Sequence, residues 1–107
     1  MADRSLIRDA TVVVVKIGTS VLTGGTDRLD PAYLHDVASE IARLYADGRR
    51  VVLVSSGAVG AGMGVLGLDA RPSDLGELQA SAAAGQPELV RLWSMAFEVR
   101  GLRVAQV

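Results

Sequence analysis

Apolar residues follow one another without interruption in two short segments of the chain. Residues 11–16 read TVVVVK, and residues 51–54 read VVLV. Continuous runs rich in Val are typical of strands in a parallel sheet whose two faces are both buried. We therefore predict a strand over each segment.

The segment between these runs has the three- and four-residue spacing of an amphipathic helix. Asp30 suits the N-cap of this helix, Pro31 its first turn and Gly48 its end. The apolar stripe consists of Leu34, Val37, Ala38, Ile41, Leu44 and Tyr45. A strand–helix–strand unit of this length predicts that the two strands pair in parallel.

The rest of the chain predicts three more helices and a third strand. One helix opens near Gly57, in a segment whose closely spaced glycines indicate tight packing or close approach to a ligand. Residues 73–85 and 87–101 predict two separate helices, and residues 102–107 a third strand. This alternation of strands and helices predicts the α/β class, with a parallel sheet sandwiched by helices.

Composition narrows the classes of function. The chain of 107 residues has the length of one domain and a formal net charge of −1, which argues against a nucleic-acid partner. It has no Cys and one His, so we expect no metal site built on those side chains. No apolar run approaches the ~20 residues of a membrane span, and the first ten residues do not resemble a secretory signal. We expect a cytoplasmic protein that has no membrane partner.

The turn after the first predicted strand carries phosphate-binding chemistry. Lys16 is the only lysine among 11 basic residues, and Gly18, Thr19 and Ser20 follow it closely. An ammonium group, a glycine that lets the backbone approach and two hydroxyls together suit a phosphate. The order of residues is not that of a Walker A loop. A simple turn with Lys16 in solvent remains the alternative.

The turn after the second predicted strand is Ser55-Ser56-Gly57-Ala58, at the start of a helix. Free N–H groups and the positive end of the helix dipole favour an anion there, and a Ser hydroxyl can donate to a carboxylate. Helix capping by Ser56 is the simpler alternative. Because ligands of parallel sheets bind at the carboxyl ends of the strands, the two turns together favour phosphoryl transfer to an anionic acceptor.

The same segments resemble the amino-acid kinase family. Residues 15–23 (VKIGTSVLT) resemble its first glycine loop, and residues 54–62 (VSSGAVGAG) the second loop of its glutamate-phosphorylating members. Residues 79–89 (QASAAAGQPEL) resemble a further segment of those members, and residues 105–107 fit the start of their next strand. Residues 54–62 and 79–89 together are the more specific part of the resemblance.

The resemblance implies transfer of the ATP γ-phosphoryl group to the side-chain carboxylate of L-glutamate. The product, glutamyl 5-phosphate, would begin proline biosynthesis, with ATP and Mg²⁺ as cofactors. Lys16 would be catalytic and contact phosphate together with Gly18, Thr19 and Ser20. Ser56, with the backbone of Gly57 and Ala58, would bind glutamate.

The resemblance also implies that much of the machinery is not in these residues. Residues 1–107 would form the glutamate-binding, amino-terminal lobe of the domain, without its nucleotide-binding half. We expect a homo-oligomeric kinase as the complete protein and no turnover by this chain alone. Two alternatives stay open: an acetylglutamate, aspartate or carbamate kinase of the same family, and a non-catalytic binding or assembly fragment.

Overall fold

A two-stranded parallel sheet and its connecting helices organise the chain. The computed structural model describes residues 4–107. Their elements in chain order are α1 (Arg4–Arg8), β1 (Val12–Ile17), α2 (Thr19–Thr23), α3 (Pro31–Ala46), β2 (Arg50–Ser55), α4 (Ala58–Leu66) and α5 (Leu75–Glu98).

Strands β1 and β2 pair in parallel, from Val12 opposite Arg50 to Ile17 opposite Ser55. The predicted α/β class and parallel pairing are therefore confirmed. The connecting helix α3 begins and ends as its sequence predicts. The Asp30 carboxylate accepts a hydrogen bond from the backbone N–H of Ala32 (3.0 Å), with Pro31 in the first turn. Gly48 has a φ of +87° just beyond the helix, a conformation that favours glycine.

The two faces of the sheet have different surroundings. Val15 and Leu53 pack on a core formed by α2, α3, α4 and α5, which includes Leu34, Trp93 and Phe97. The alternate residues point the other way, and Val14 and Val52 are 64% and 51% exposed. The prediction that both sheet faces are buried is thus wrong for residues 4–107, where helices cover one face.

The prediction of a helix boundary at Pro87 is corrected. The helices predicted over residues 73–85 and 87–101 form one helix, α5, with Pro87 inside it. The reason is that the buried residues stay in phase across Pro87, from Ser81 and Gly85 to Leu89 and Trp93. One continuous face can then pack on α3 and α4, which outweighs the hydrogen bond that Pro87 cannot donate.

An ion pair stands in the first turn after Pro87. Arg91 donates to both carboxylate oxygens of Glu88, at 2.8 and 2.6 Å. This hydrogen bonding holds the pKa of Glu88 below its usual value, against a smaller opposing effect of desolvation. The pair is solvent-accessible, so its contribution to stability is small.

The third strand predicted over residues 102–107 does not form in the described chain, which has a sheet of two strands. Residues 101–107 instead border a groove of about 1060 Å³ beside β2 and α5. The apolar pattern is present, but a strand also needs ladder hydrogen bonds to a neighbour, and this segment makes none.

Helices α4 and α5 pack with their backbones in near contact. A Cβ atom added to Gly62 would lie 1.7 Å from the carbonyl oxygen of Ser81, and one added to Gly85 would lie 1.8 Å from that of Ala58. The Ser81 hydroxyl also donates to the carbonyl of Val59 (3.1 Å). Gly62 and Gly85 therefore serve helix–helix packing, and this packing holds α4 in place against α5.

Candidate functional site

The turns after β1 and β2 are joined by a hydrogen bond. The backbone N–H of Ser56 donates to the carbonyl of Ile17 (2.9 Å), which extends the sheet ladder into both turns. A cleft of about 270 Å³ opens beside them. Its lining residues are Thr19, Ser55, Ser56, Gly57, Ala58, Val59, Gly60 and Arg71. The structure thus brings Thr19 of the first predicted loop together with Ser56, Gly57 and Ala58 of the second.

The amino-terminal end of α4 faces this cleft without a side-chain cap. Gly57 occupies the N-cap position with a φ of +113°, and no side chain accepts a hydrogen bond from the first turn. A side chain at Gly57 would be strained by this φ and would also meet Leu29 at 3.1 Å. The first-turn N–H groups of α4 are therefore donors that an anion in the cleft could use.

Ser56 does not cap α4, so the simpler interpretation of this residue does not hold. Its side chain is exposed, and its hydroxyl makes no hydrogen bond within residues 4–107. The neighbouring Ser55 hydroxyl, by contrast, accepts from Trp93 Nε1 (2.9 Å) and donates to the Ser56 carbonyl (2.8 Å). Of the two serines, Ser56 is the one whose hydroxyl is available to a ligand.

Arg71 is a lining residue that the sequence did not indicate. It lies between α4 and α5, and its guanidinium makes no hydrogen bond or ion pair within the described chain. It is the one formally charged side chain among the residues that line the cleft. No local motif marks it, because only the return of the chain from α4 to α5 brings it to the cleft.

The residues of the first predicted loop lie in different elements of the structure. Gly18 is the N-cap of α2, so Thr19 and Ser20 belong to a short helix rather than to an open loop. Lys16 is exposed at the end of β1, on the same sheet face as Val12 and Val14. Of Lys16, Gly18, Thr19 and Ser20, only Thr19 lines the cleft.

The cleft presents hydrogen-bond donors and a cation, and no carboxylate lines it. Among residues 4–107, no group of three His, Cys, Asp or Glu is placed to hold a metal ion. Mg²⁺ prefers carboxylate oxygens, so the residues present do not fit a magnesium site. In the same part of the chain, no helix combines the length and apolarity needed to cross a bilayer.

Parallel strands whose carboxyl ends open on a donor-lined cleft define an α/β protein with a candidate anion-binding site. Residues 11–107 match the model of the amino acid kinase family, and the chain belongs to that family. A carbamate kinase from Giardia lamblia, whose structure was solved with citric acid bound, shares the fold with a TM-score of 0.57. That similarity has 22% sequence identity and covers 86% of this chain and 32% of the kinase.

The similar curated proteins include several glutamate 5-kinases. The enzyme of Bifidobacterium adolescentis is 48% identical over 104 residues, which are 97% of this chain and 28% of that enzyme. The enzyme of Ralstonia nicotianae is 49% identical over 107 residues, covering 100% and 29%, and that of Escherichia coli is 42% identical over 99 residues, covering 92% and 27%. The chain thus spans little more than a quarter of these relatives.

Proposed function

We propose that the chain is the acceptor-binding part of a glutamate 5-kinase. In this proposal the complete protein transfers the γ-phosphoryl group of ATP to the side-chain carboxylate of L-glutamate. The observation that carries it is the donor-lined cleft, in which the unpartnered Ser56 hydroxyl, the uncapped amino-terminal end of α4 and Arg71 converge. The identity of 42–49% to glutamate 5-kinases supports this choice of acceptor.

The reacting carboxylate would bind at the amino-terminal end of α4. The Ser56 hydroxyl and the N–H groups of Ala58 and Val59 donate to it, and Gly57 leaves room for close approach. L-Glutamate has a second carboxylate on its α-carbon. Arg71 supplies the positive charge and the paired donors that suit this group.

In the reaction, a carboxylate oxygen attacks the γ-phosphorus while the bond from that phosphorus to the β,γ-bridging oxygen breaks. Glutamyl 5-phosphate and ADP are the products. Catalysis of this kind is mainly positioning and charge neutralisation. Lys16 and Thr19 are the side chains of this chain that we assign to the phosphate side, Thr19 from within the cleft and Lys16 from the exposed end of β1. An activity that draws on ATP and glutamate also fits the cytoplasm.

A chimaera tests this proposal in a complete enzyme. The 104 matched residues replace their counterparts in the Bifidobacterium adolescentis glutamate 5-kinase. ADP release is followed with L-glutamate, and hydroxylamine traps the acyl phosphate as a hydroxamate. We expect turnover that depends on L-glutamate, with N-acetylglutamate, aspartate and carbamate as poor acceptors.

Ser56→Ala in this chimaera should raise the KM for glutamate by about 10-fold or more, since a hydrogen bond to a charged group contributes ~1.5–3 kcal/mol. The matched control is Ser73→Ala, which changes an exposed serine outside the cleft. A soluble chimaera that ignores glutamate, or equal effects of the two substitutions, would contradict the proposal.

A further inference from the structure

A buried tryptophan is connected to the candidate substrate loop by two consecutive hydrogen bonds. Trp93 lies on α5, is 5% exposed and packs against Phe97, with ring centroids 5.9 Å apart. Its Nε1–H donates to the Ser55 hydroxyl (2.9 Å), which in turn donates to the carbonyl of Ser56 (2.8 Å). A buried indole N–H needs an acceptor, and Ser55 is the acceptor that this fold provides.

The direction of these bonds is determined by the groups involved. An indole N–H can only donate, so the Ser55 hydroxyl must accept from it and has its single proton left for the Ser56 carbonyl. The N–H of Ser56 is meanwhile held by the carbonyl of Ile17 (2.9 Å). The backbone of Ser56 is therefore held on both sides. The Ser56 carbonyl is linked to α5 through Ser55, and the Ser56 N–H is bound by the end of β1.

We propose that Trp93 is a positioning residue for the acceptor site. Acting through Ser55, it sets the orientation of the Ser56 backbone and so directs the Ser56 hydroxyl and the first turn of α4 into the cleft. The consequence for glutamate affinity rests on the proposed function, whereas the effect on the loop does not. Trp93 itself is not a lining residue of the cleft, so it acts through Ser55.

Trp93→Phe keeps an aromatic ring beside Phe97 and removes the N–H donor, together with the volume by which indole exceeds phenyl. In the isotope-labelled chain, we expect the amide of Ser56 to exchange with solvent about five-fold faster than in wild type, relative to the Val54 amide, which faces β1 as the amides of Arg50 and Ser56 do. This factor corresponds to the loss of one neutral hydrogen bond. The affinity for L-glutamate, measured by titration of the same chain, should fall by a similar factor.

A double variant at Trp93 and Ser55 distinguishes positioning of the loop from a general loss of core packing. Ser55→Ala should change the Ser56 exchange and the glutamate affinity as much as Trp93→Phe does. The double variant should show no larger change than Ser55→Ala alone, because both substitutions interrupt the same pair of consecutive hydrogen bonds. Ser55→Thr keeps the hydroxyl and should restore most of the affinity. Phe97→Leu perturbs the same core without touching either hydrogen bond, and should leave the exchange ratio of Ser56 to Val54 within two-fold of wild type.

Independent, additive effects of Trp93→Phe and Ser55→Ala would overturn the proposal. So would an unchanged Ser56 exchange ratio, or an equal change in Phe97→Leu. If the wild-type chain does not bind L-glutamate, the proposed function fails, and the exchange ratios still decide whether Trp93 positions the loop. If Trp93→Phe does not fold, the comparison of Ser55→Ala with Ser55→Thr decides it.

Discussion

Gly62→Ala should destabilise the chain because α4 and α5 have no space for one more carbon atom. The new Cβ would lie 1.7 Å from the carbonyl oxygen of Ser81, and real Cβ contacts do not come closer than 3.0 Å. The two helices would have to separate until that gap opened. The atom in the way is backbone, so no side chain can rotate aside to relieve the contact.

The magnitude follows from three contributions. Overpacking of a dense interior costs about 1–3 kcal/mol, and a clash with backbone belongs at the upper end of that range. Separation of the helices would also weaken the hydrogen bond from the Ser81 hydroxyl to Val59, which contributes about 1 kcal/mol. Alanine favours helix over glycine by about 1 kcal/mol, which offsets part of the loss. The net expectation is a loss of about 3 kcal/mol in the free energy of unfolding.

Gly64→Ala in the same helix is the matched control. Nothing lies within 4 Å of its added Cβ, and its φ is not positive, so we expect a gain of about 0.5–1 kcal/mol. Urea unfolding followed by circular dichroism measures both variants. In thermal unfolding, the loss at Gly62 corresponds to a fall of roughly 10–20 °C for a domain of this size. Gly62→Ala unfolding within 0.5 kcal/mol of wild type would refute the close packing of α4 on α5.

Three further predictions concern the cleft and the exposed sheet face. Lys16→Arg in the chimaera should lower turnover by about 100-fold, because removal of one preorganised contact costs ~3 kcal/mol and a planar guanidinium does not replace a point charge. Normal turnover of this variant would show that Lys16 has no catalytic role. Arg71→Gln should weaken glutamate binding about 10-fold, and Arg71→Lys less, as measured by isothermal calorimetry. Equal affinity of wild type and both variants would exclude a contact between Arg71 and a glutamate carboxylate. Val14→Thr with Val52→Thr, which replaces an exposed cross-strand pair, should reduce self-association of the chain in sedimentation at micromolar concentration; a wild-type chain that is already monomeric would contradict this expectation.

The sequence predicted those parts of the fold that depend on local patterns. The Val-rich runs predicted both strands within a residue or two, and Asp30, Pro31 and Gly48 predicted the bounds of α3 because capping chemistry is local. The division at Pro87 was wrong because a continuous buried face on α5 outweighs one missing backbone donor. The third strand was wrong because ladder pairing is a long-range property, which residues 102–107 cannot show by their own composition.

The candidate site was also predictable only where it depends on local sequence. Ser56, Gly57 and Ala58 stand directly after a strand and open a helix, so their sequence context already indicates an anion site. Arg71 reaches the cleft only through the packing of α4 on α5, and Trp93 reaches Ser55 across 38 residues of chain. Contacts of this kind depend on tertiary structure, and no spacing rule indicates them.

The most direct test of the acceptor site compares L-glutamate with L-glutamine in amide NMR titrations of the chain. Glutamine replaces the side-chain carboxylate by a neutral amide of nearly the same shape. If that carboxylate binds at the amino-terminal end of α4, glutamate should shift the amides of Gly57, Ala58 and Val59, and glutamine should bind at least about 10-fold more weakly, because charge-assisted hydrogen bonds contribute ~1.5–3 kcal/mol. Equal binding of the two amino acids, or glutamate-dependent shifts that spare these three amides, would contradict the account.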